Sequence, residues 1–242
     1  MPLIKLDAID STNDFLKKML KESTAEDYTI VMANEQTKGK GQMGSKWISE
    51  PGKNLTMRLL IKDIQLKNKN IYDFNIVVAL SVLKVLKNIQ IPNVAIKWPN
   101  DIMAGSKKVA GILIENIIKH DASFSAIVGI GLNLNQTNFE KLPQATSLKC
   151  ITGKTYEHEE IAILLKDSLK VNIEILYQNS DLLWEEYHDN LFKKDYPSPF
   201  EDKKGNRFMG IIQKVTKTGK LEVLLEDDSI TNYEVKEIKM LY

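Results

Sequence analysis

The hydrophobic positions of this chain alternate between strand-like and helix-like periods. Leu3–Asp7 reads as a short strand, and Ser11 then stands where a helix cap is needed, with Asp14 three residues on near the positive helix end. Phe15, Leu16, Met19 and Leu20 follow at helical spacing. Tyr28–Ala33 is an apolar run suited to a buried strand, and Asn54–Ile61 is another. Ile76, Val77, Leu80, Leu83 and Leu86 predict a long helix over 71–86. Val94–Trp98 reads as a strand. Ile102–Met103 and Val109–Ile118 predict a hairpin closed by Ala104-Gly105-Ser106-Lys107, where glycine supplies the turn. Ser123–Leu134 reads as a further strand, and 157–177 and 181–193 as helices. Tyr196-Pro197-Ser198-Pro199-Phe200 reads as a linker, because proline removes backbone donors. Arg207–Val215, Leu221–Leu225 and Ile230–Val235 are then short strands. The pattern divides the chain into an α/β (α+β) domain over 1–195 and a small β domain over 196–242.

Composition narrows the function classes. Of 242 residues, 43% are hydrophobic and 27% charged, and 33 Lys+Arg against 32 Asp+Glu leave a net charge of +1. That balance argues against a general nucleic-acid or membrane-surface binder, while leaving room for a local cationic pocket. No apolar run approaches the ~18 residues of a membrane span, and the N-terminus lacks the apolar core of a signal peptide. A single cysteine, Cys150, provides no disulfide framework and is expected to be a small buried hydrophobe. Together these features lead us to expect a cytoplasmic protein. His120, His158 and His188 show no metal-ligand spacing and no nucleophile triad, so packing or surface roles are expected.

Three segments carry more polar chemistry than their strands require. Gln36–Lys46 holds Gly39, Gly41 and Gly44 with Lys38, Lys40 and Lys46. Glycines let backbone amides approach an anion and lysines add charge, although a solvated basic loop has the same composition. The order Gly44-Ser45-Lys46 is not that of a Walker loop, and Trp47 is a flat side chain able to cover a ligand. Lys97-Trp98-Pro99-Asn100-Asp101 ends a strand in either a functional cluster or a simple Pro-Asn-Asp turn. Lys108 lies across the hairpin from it, close enough in register to pair with Asp101. Gly129-Ile130-Gly131-Leu132-Asn133 places two glycines in a buried strand, which indicates either a close-approaching group or a β-bulge.

In this order the segments resemble the biotin–protein ligase family: Ser11-Thr12-Asn13, the Gln36–Trp47 loop, Lys97-Trp98-Pro99-Asn100-Asp101-Ile102, Lys108-x-Ala110-Gly111-Ile112-Leu113-x-Glu115, and Gly129-x-Gly131-Leu132-Asn133. The resemblance is strong over residues 1–135. It implies a catalytic domain built on a mixed sheet flanked by helices, like those of class II aminoacyl-tRNA synthetases and lipoate ligases, a small SH3-like C-terminal β-barrel, and a two-step reaction. Biotin and ATP form biotinyl-5′-AMP with release of pyrophosphate, Mg²⁺ assisting, and a lysine of a biotin carboxyl carrier domain then takes the biotinyl group. By position, Ser11, Thr12, Asn13, Gln36, Gly39, Lys40, Gly41, Gln42, Lys108, Gly111 and Gly129 are the implied biotin site. Trp47, Lys97, Asn100, Lys108 and Asn133 fall on the nucleotide side. Lys108, Asp101 and Lys40 are the implied catalytic set.

Asp101 is expected to act by positioning the acceptor lysine, since a carboxylate titrating at ~3.9 is a poor base toward an amine at ~10.4. Where the family loop commonly carries Gly-Arg-Gly-Arg, this chain has Gly39-Lys40-Gly41-Gln42, and Gln42 lacks a bidentate cation for retaining the adenylate. The family's N-terminal DNA-binding domain is not expected, because the Ser11-Thr12-Asn13 motif begins almost at once; no nucleic-acid or membrane partner is expected either. A homodimer is compatible with the resemblance, and the oligomeric state stays open. The competing expectations are a lipoate ligase or octanoyltransferase of the same fold, and a non-catalytic binding module.

Overall fold

The structure, a computed structural model, describes residues 2–22, 24–37, 39, 41, 44, 47–65, 70–118 and 124–241. Seven strands form the main sheet: β1 (Leu3–Ile9), β2 (Ile30–Gln36), β3 (Leu55–Ile64), β4 (Val94–Lys97), β5 (Asp101–Ala104), β6 (Lys107–Ile118) and β7 (Phe124–Leu132), in the order β1-β2-β3-β7-β6-β5-β4. β1 and β2 run parallel and the other pairs antiparallel, so the sheet is mixed as expected.

The two faces have different covers. Met57, Leu59, Val128, Ile130, Ile112 and Ile102 face the main core, shared with helices α2 (Ile71–Asn88), α4 (His158–Gln178) and α5 (Ser180–Asp189). Val31, Leu60 and Ile127 face the opposite way, packed with Leu16 of α1 (Thr12–Lys21). Because side chains alternate along a strand, Thr56, Arg58, Gly111, Leu113, Glu115, Gly129 and Gly131 share this second face. α1 covers one end of it, and the side chains of Trp47 and Arg58 lie over the glycines of the rest.

Local signals explain most boundaries. Ser11 caps α1 by accepting from the Asp14 backbone N–H at 3.3 Å. Asn70 and Asp73 form a reciprocal capping box at the start of α2, and Asp73 also accepts from Trp184 Nε1 at 2.7 Å. Gly105 turns the β5–β6 hairpin at a φ of 58°. A short helix, α3 (Leu148–Thr152), was not expected from the sequence, and it ends at Gly153 in the left-handed region. Cys150 lies on it and is exposed, contrary to expectation: Leu148 takes the helix's place in the core, and Cys150 falls on the other side, beside the loop after β7.

Two expectations near the C-terminus are corrected. The helix expected over 181–193 ends at Asp189, because Phe192 N–H donates to Ile96 O at 2.8 Å and Ile96 N–H to Asn190 O at 2.8 Å. The proline-bearing segment is not a linker but strand β8 (Pro197–Asp202) of a second, antiparallel sheet. That sheet also contains β9 (Arg207–Val215), β10 (Leu221–Leu225), β11 (Ile230–Tyr233) and β12 (Ile238–Met240), in the order β11-β10-β9-β8-β12. Pro197 and Pro199 are tolerated because they face the β12 side. There Pro199 O accepts from Leu241 N–H, and pairing begins only at Phe200↔Met240, so the ladder to β9 loses no donors. Among the described residues no helix is long and apolar enough to cross a membrane.

Candidate functional site

The second face of the main sheet is floored by paired glycines. Gly111 of β6 lies directly opposite Gly131 of β7, and Asp101 of β5 continues the row beyond Gly111. Trp47 lies on this floor: a Cβ on Gly131 would fall 2.6 Å from its ring, and one on Gly111 3.3 Å. β7 keeps regular register with β6 through Gly129–Leu132, so the glycines mark close approach rather than a bulge. The approaching groups are side chains, Trp47 over Gly131 and Arg58 over Gly129.

Lys108 stands at the edge of the floor. The β5–β6 register shifts between Ile102 and Met103, giving a bulge at the base of Lys108. Its backbone is held by Gln144 O and by the Thr146 N–H. From there Nζ reaches Asp101 Oδ1 at 2.6 Å and sits 5.9 Å from the Trp47 ring centroid. The Asp101–Lys108 pair anticipated from the hairpin spacing is present, with side chains 20% and 32% exposed, so both remain reachable. Lys97 is opposite Asp101 in β4. Burial lowers the Lys97 ammonium pKa, the neighbouring Lys108 and Lys239 lower it further, and Asp101 opposes them.

Asn100 and Asn133 brace the floor. Asn100 donates through Nδ2 to Ile112 O at 2.8 Å while its own carbonyl accepts from Ile112 N–H. Asn133, buried, donates to Thr146 O at 3.0 Å. The peptide between Trp98 and Pro99 is cis, and Trp98 Nε1 donates to Gly219 O at 2.9 Å, tying this turn to the second sheet. Between the turn and that sheet lies a cleft of about 500 Å³ reached by Lys97, Asp101 and Lys108 on one wall and by Glu201, Lys203 and Lys239 on the other.

The other end of the floor is polar and enclosed. Gln36 Oε1 accepts from the Thr12 N–H at 3.0 Å and from its hydroxyl at 2.8 Å. Asn13 donates to Glu115 Oε1 at 3.1 Å, and Glu115 is also paired with Lys17. Ser11, Thr12 and Asn13 are all buried. Gly39 meets this end, since a Cβ there would lie 2.8 Å from Trp47 O and 3.4 Å from Gln36 Nε2. Gly41 is half-buried in the same loop. Lys40 and Gln42 lie outside the described residues.

Sequence reasoning missed Arg58 and did not single out Glu115. Arg58 is 4% exposed, and burial pushes its guanidinium down to about 10, against the opposing pull of Glu115 and Asp14. A charge within the run Leu55-Thr56-Met57-Arg58-Leu59-Leu60-Ile61 was the available signal, since a buried strand rarely holds an arginine without a purpose.

Comparison with known proteins places the chain among relatives. The model described as the biotin/lipoate A/B protein ligase family matches residues 6–133. The bifunctional ligase/repressor BirA of Bacillus spizizenii is 31% identical over 195 residues, 76% of this chain and 59% of that protein. The BirA of Escherichia coli is 28% identical over 93% of this chain and 69% of its own length. Among solved structures, the biotin protein ligase from Aquifex aeolicus in complex with biotin and ATP superposes with a TM-score of 0.79 at 26% identity, covering 99% of this chain and 98% of that one. The chain thus spans about three fifths of the Bacillus relative it matches.

Proposed function

Because the chain belongs to the biotin/lipoate A/B protein ligase family, we propose that it is a biotin–protein ligase, joining biotin to ATP and passing the biotinyl group to a lysine of a biotin carboxyl carrier domain. The observation that carries this reading is the row Gly131, Gly111, Asp101, roofed by Trp47 and edged by Lys108. It is a flat platform with an ion-paired cation at one end and a polar, enclosed recess at the other.

Adenylation brings two anions together, so it needs positive charge and fixed geometry. A carboxylate oxygen attacks the α-phosphorus, the bond to the bridging oxygen breaks, and pyrophosphate leaves. Lys108 Nζ, within reach of the platform, would neutralise the charge that develops on the attacking carboxylate and the α-phosphate. To do so it would exchange its bond to Asp101. Among the described residues no cluster of three or more His, Cys, Asp or Glu is suited to a metal; Mg²⁺ would enter on the nucleotide's own phosphates, where it offsets their charge.

In the second step the acceptor ammonium loses a proton to water, the neutral amine attacks the acyl carbon, AMP leaves, and the amide nitrogen gives up its extra proton to water. Asp101, released from Lys108, faces the cleft toward the second sheet and would orient the incoming ammonium there. Trp47 supplies a flat apolar cover, and Asn100 and Asn133 keep the floor level. On the polar side, Thr12, Gln36 and Asn13 would line the recess for the biotin head.

Pyrophosphate release measured with ATP and either biotin, lipoate or octanoate tests the reading. Release is expected with biotin, followed by labelling of a carrier domain. Release only with lipoate or octanoate would instead make the protein an acyl ligase of another specificity.

A further inference from the structure

One buried charge on this face has no role in the steps above. Arg58 lies opposite Gly129 in the β3–β7 register, and Gly129 lies opposite Leu113 in β6. The guanidinium is laid across the glycine: a Cβ on Gly129 would fall 2.1 Å from Nη1 and 2.4 Å from Cζ. Nη1 donates to Met57 O at 3.2 Å, and Nε is buried with no hydrogen-bond partner among the described residues. Asn13 Oδ1, in the same recess, is likewise buried without a partner among the described residues. The nearby carboxylate of Glu115 is already engaged by Asn13 and Lys17.

A purely structural arginine would not be left this way. A buried donor without an acceptor costs about 1–3 kcal/mol, and more when the group is charged. Methionine would fill much the same volume with no such cost. The guanidinium lies on Gly129, one row along the same face from the Gly111–Gly131 pair. Two residues along a strand and two strands across separate Gly129 from Asp101, roughly 12 Å in all. That distance suits an acid whose polar head is joined to its carboxylate by a flexible chain of several carbons.

We propose that Arg58 is a specificity-determining residue of the acid-binding end: its guanidinium takes a carbonyl-type oxygen of the ligand's head, so the site accepts an acid with a cyclic urea or amide head and rejects one with an apolar head. The assignment rests on the reading of this face as an acid-activating site. An alkyl chain or a disulfide ring would cover the guanidinium and offer it no acceptor, leaving the charge more poorly solvated than in the empty site. A urea oxygen satisfies it.

The test is calorimetric titration of the full chain and its Arg58→Met and Arg58→Lys variants with biotin, octanoate and lipoate, with thermal melting to confirm that each variant is folded. Arg58→Met is expected to weaken biotin at least tenfold while octanoate or lipoate changes less than threefold or tightens; Arg58→Lys is expected to fall between. The biotin-to-octanoate ratio is the deciding quantity, because general loosening of the fold would weaken all ligands together. Biotin bound equally well or better by Arg58→Met would overturn the assignment, as would a wild-type protein that prefers octanoate or does not bind biotin. Should Arg58→Met not fold, the same ratio in Arg58→Lys decides. Arg58-dependent biotin binding without pyrophosphate release would leave the assignment standing and remove the ligase reading. Biotin-dependent release with an unchanged ratio in Arg58→Met would do the reverse.

Discussion

Lys108 and Arg58 are two cations on one face of one sheet, and they are held in opposite ways. Lys108 stands at a bulge, a third exposed, paired with Asp101 at 2.6 Å. Arg58 is 4% exposed with a donor left unfilled. A half-exposed pair can exchange partners at little cost, which suits a group that must follow charge during a reaction. A buried, pre-positioned fork cannot move cheaply, which suits recognition of one fixed acceptor. On the proposed reading, the two ends of the floor divide chemistry from selection.

The sharpest way to break this division is to remove each cation and ask what is lost. Lys108→Ala is expected to lower the rate of biotin-dependent pyrophosphate release by about 100-fold or more, the scale for a group stabilising charge in the transition state, with little change in biotin affinity. Quench-flow measurement of the first turnover separates the two effects. Loss of biotin binding with an unchanged rate would place Lys108 with the recognition groups and erase the contrast with Arg58.

A second prediction concerns the floor that joins the two ends. Gly131→Ala would put a Cβ 2.6 Å from the Trp47 indole, so the ring must be displaced. With Trp47 on the nucleotide side, the KM for ATP is expected to rise about tenfold while biotin affinity changes far less. Equal weakening of both ligands would mean that Trp47 covers the whole platform rather than its nucleotide end.

How much of this was legible in the sequence follows from the range of the contacts. The hairpin bearing Asp101 and Lys108 was readable because Gly105 marks its turn and the pairing is local. The Gly129 and Gly131 pattern announced a close approach but not what approached. That depends on the β3–β7 register, which brings together residues 71 positions apart, as the pairing Arg58↔Gly129 shows. Arg58 was therefore passed over as one polar position in a strand. Strand β8 was hidden by Pro197 and Pro199, whose missing donors matter only if their side of the strand must pair. The helix expected to run to Lys193 kept its apolar period through Leu191 and Phe192, yet those residues are drawn to Ile96 of β4. For Asn100 and Asn133 the sequence suggested ligand contacts; the structure shows each donating to a main-chain carbonyl of the scaffold.

Stability offers a third measure of the two cations. Replacing a poorly compensated buried charge with an apolar side chain of similar volume is often neutral or stabilising. Arg58→Met is expected to raise the stability of the protein by about 1 kcal/mol in urea unfolding, whereas Lys108→Ala should lie within about 0.5 kcal/mol of wild type. A marked loss of stability in Arg58→Met would mean that the guanidinium serves the packing of β3, and would take away the reason for assigning it to a ligand.

The smallest effect expected comes from a group that is neutral where these two are charged. His188, on α5, meets the second sheet: Val215 N–H donates to its Nε2 at 3.2 Å, and Val215 O lies 2.9 Å away. Burial lowers the imidazole pKa, and the charges of Lys194, Lys214 and Lys217 lower it further, against the opposing influence of the Val215 backbone. A histidine whose folded pKa lies below its unfolded value of ~6.5 favours the folded state in its neutral form. Its contribution is therefore complete above about pH 6.5 and is lost as the pH falls toward the folded pKa, because the unfolded chain then binds the proton more readily. His188→Gln, which stays neutral throughout, should show a shallower fall in urea midpoint between pH 7.5 and pH 5 than wild type. Identical slopes would mean that the contact between α5 and the second sheet does not sense this proton.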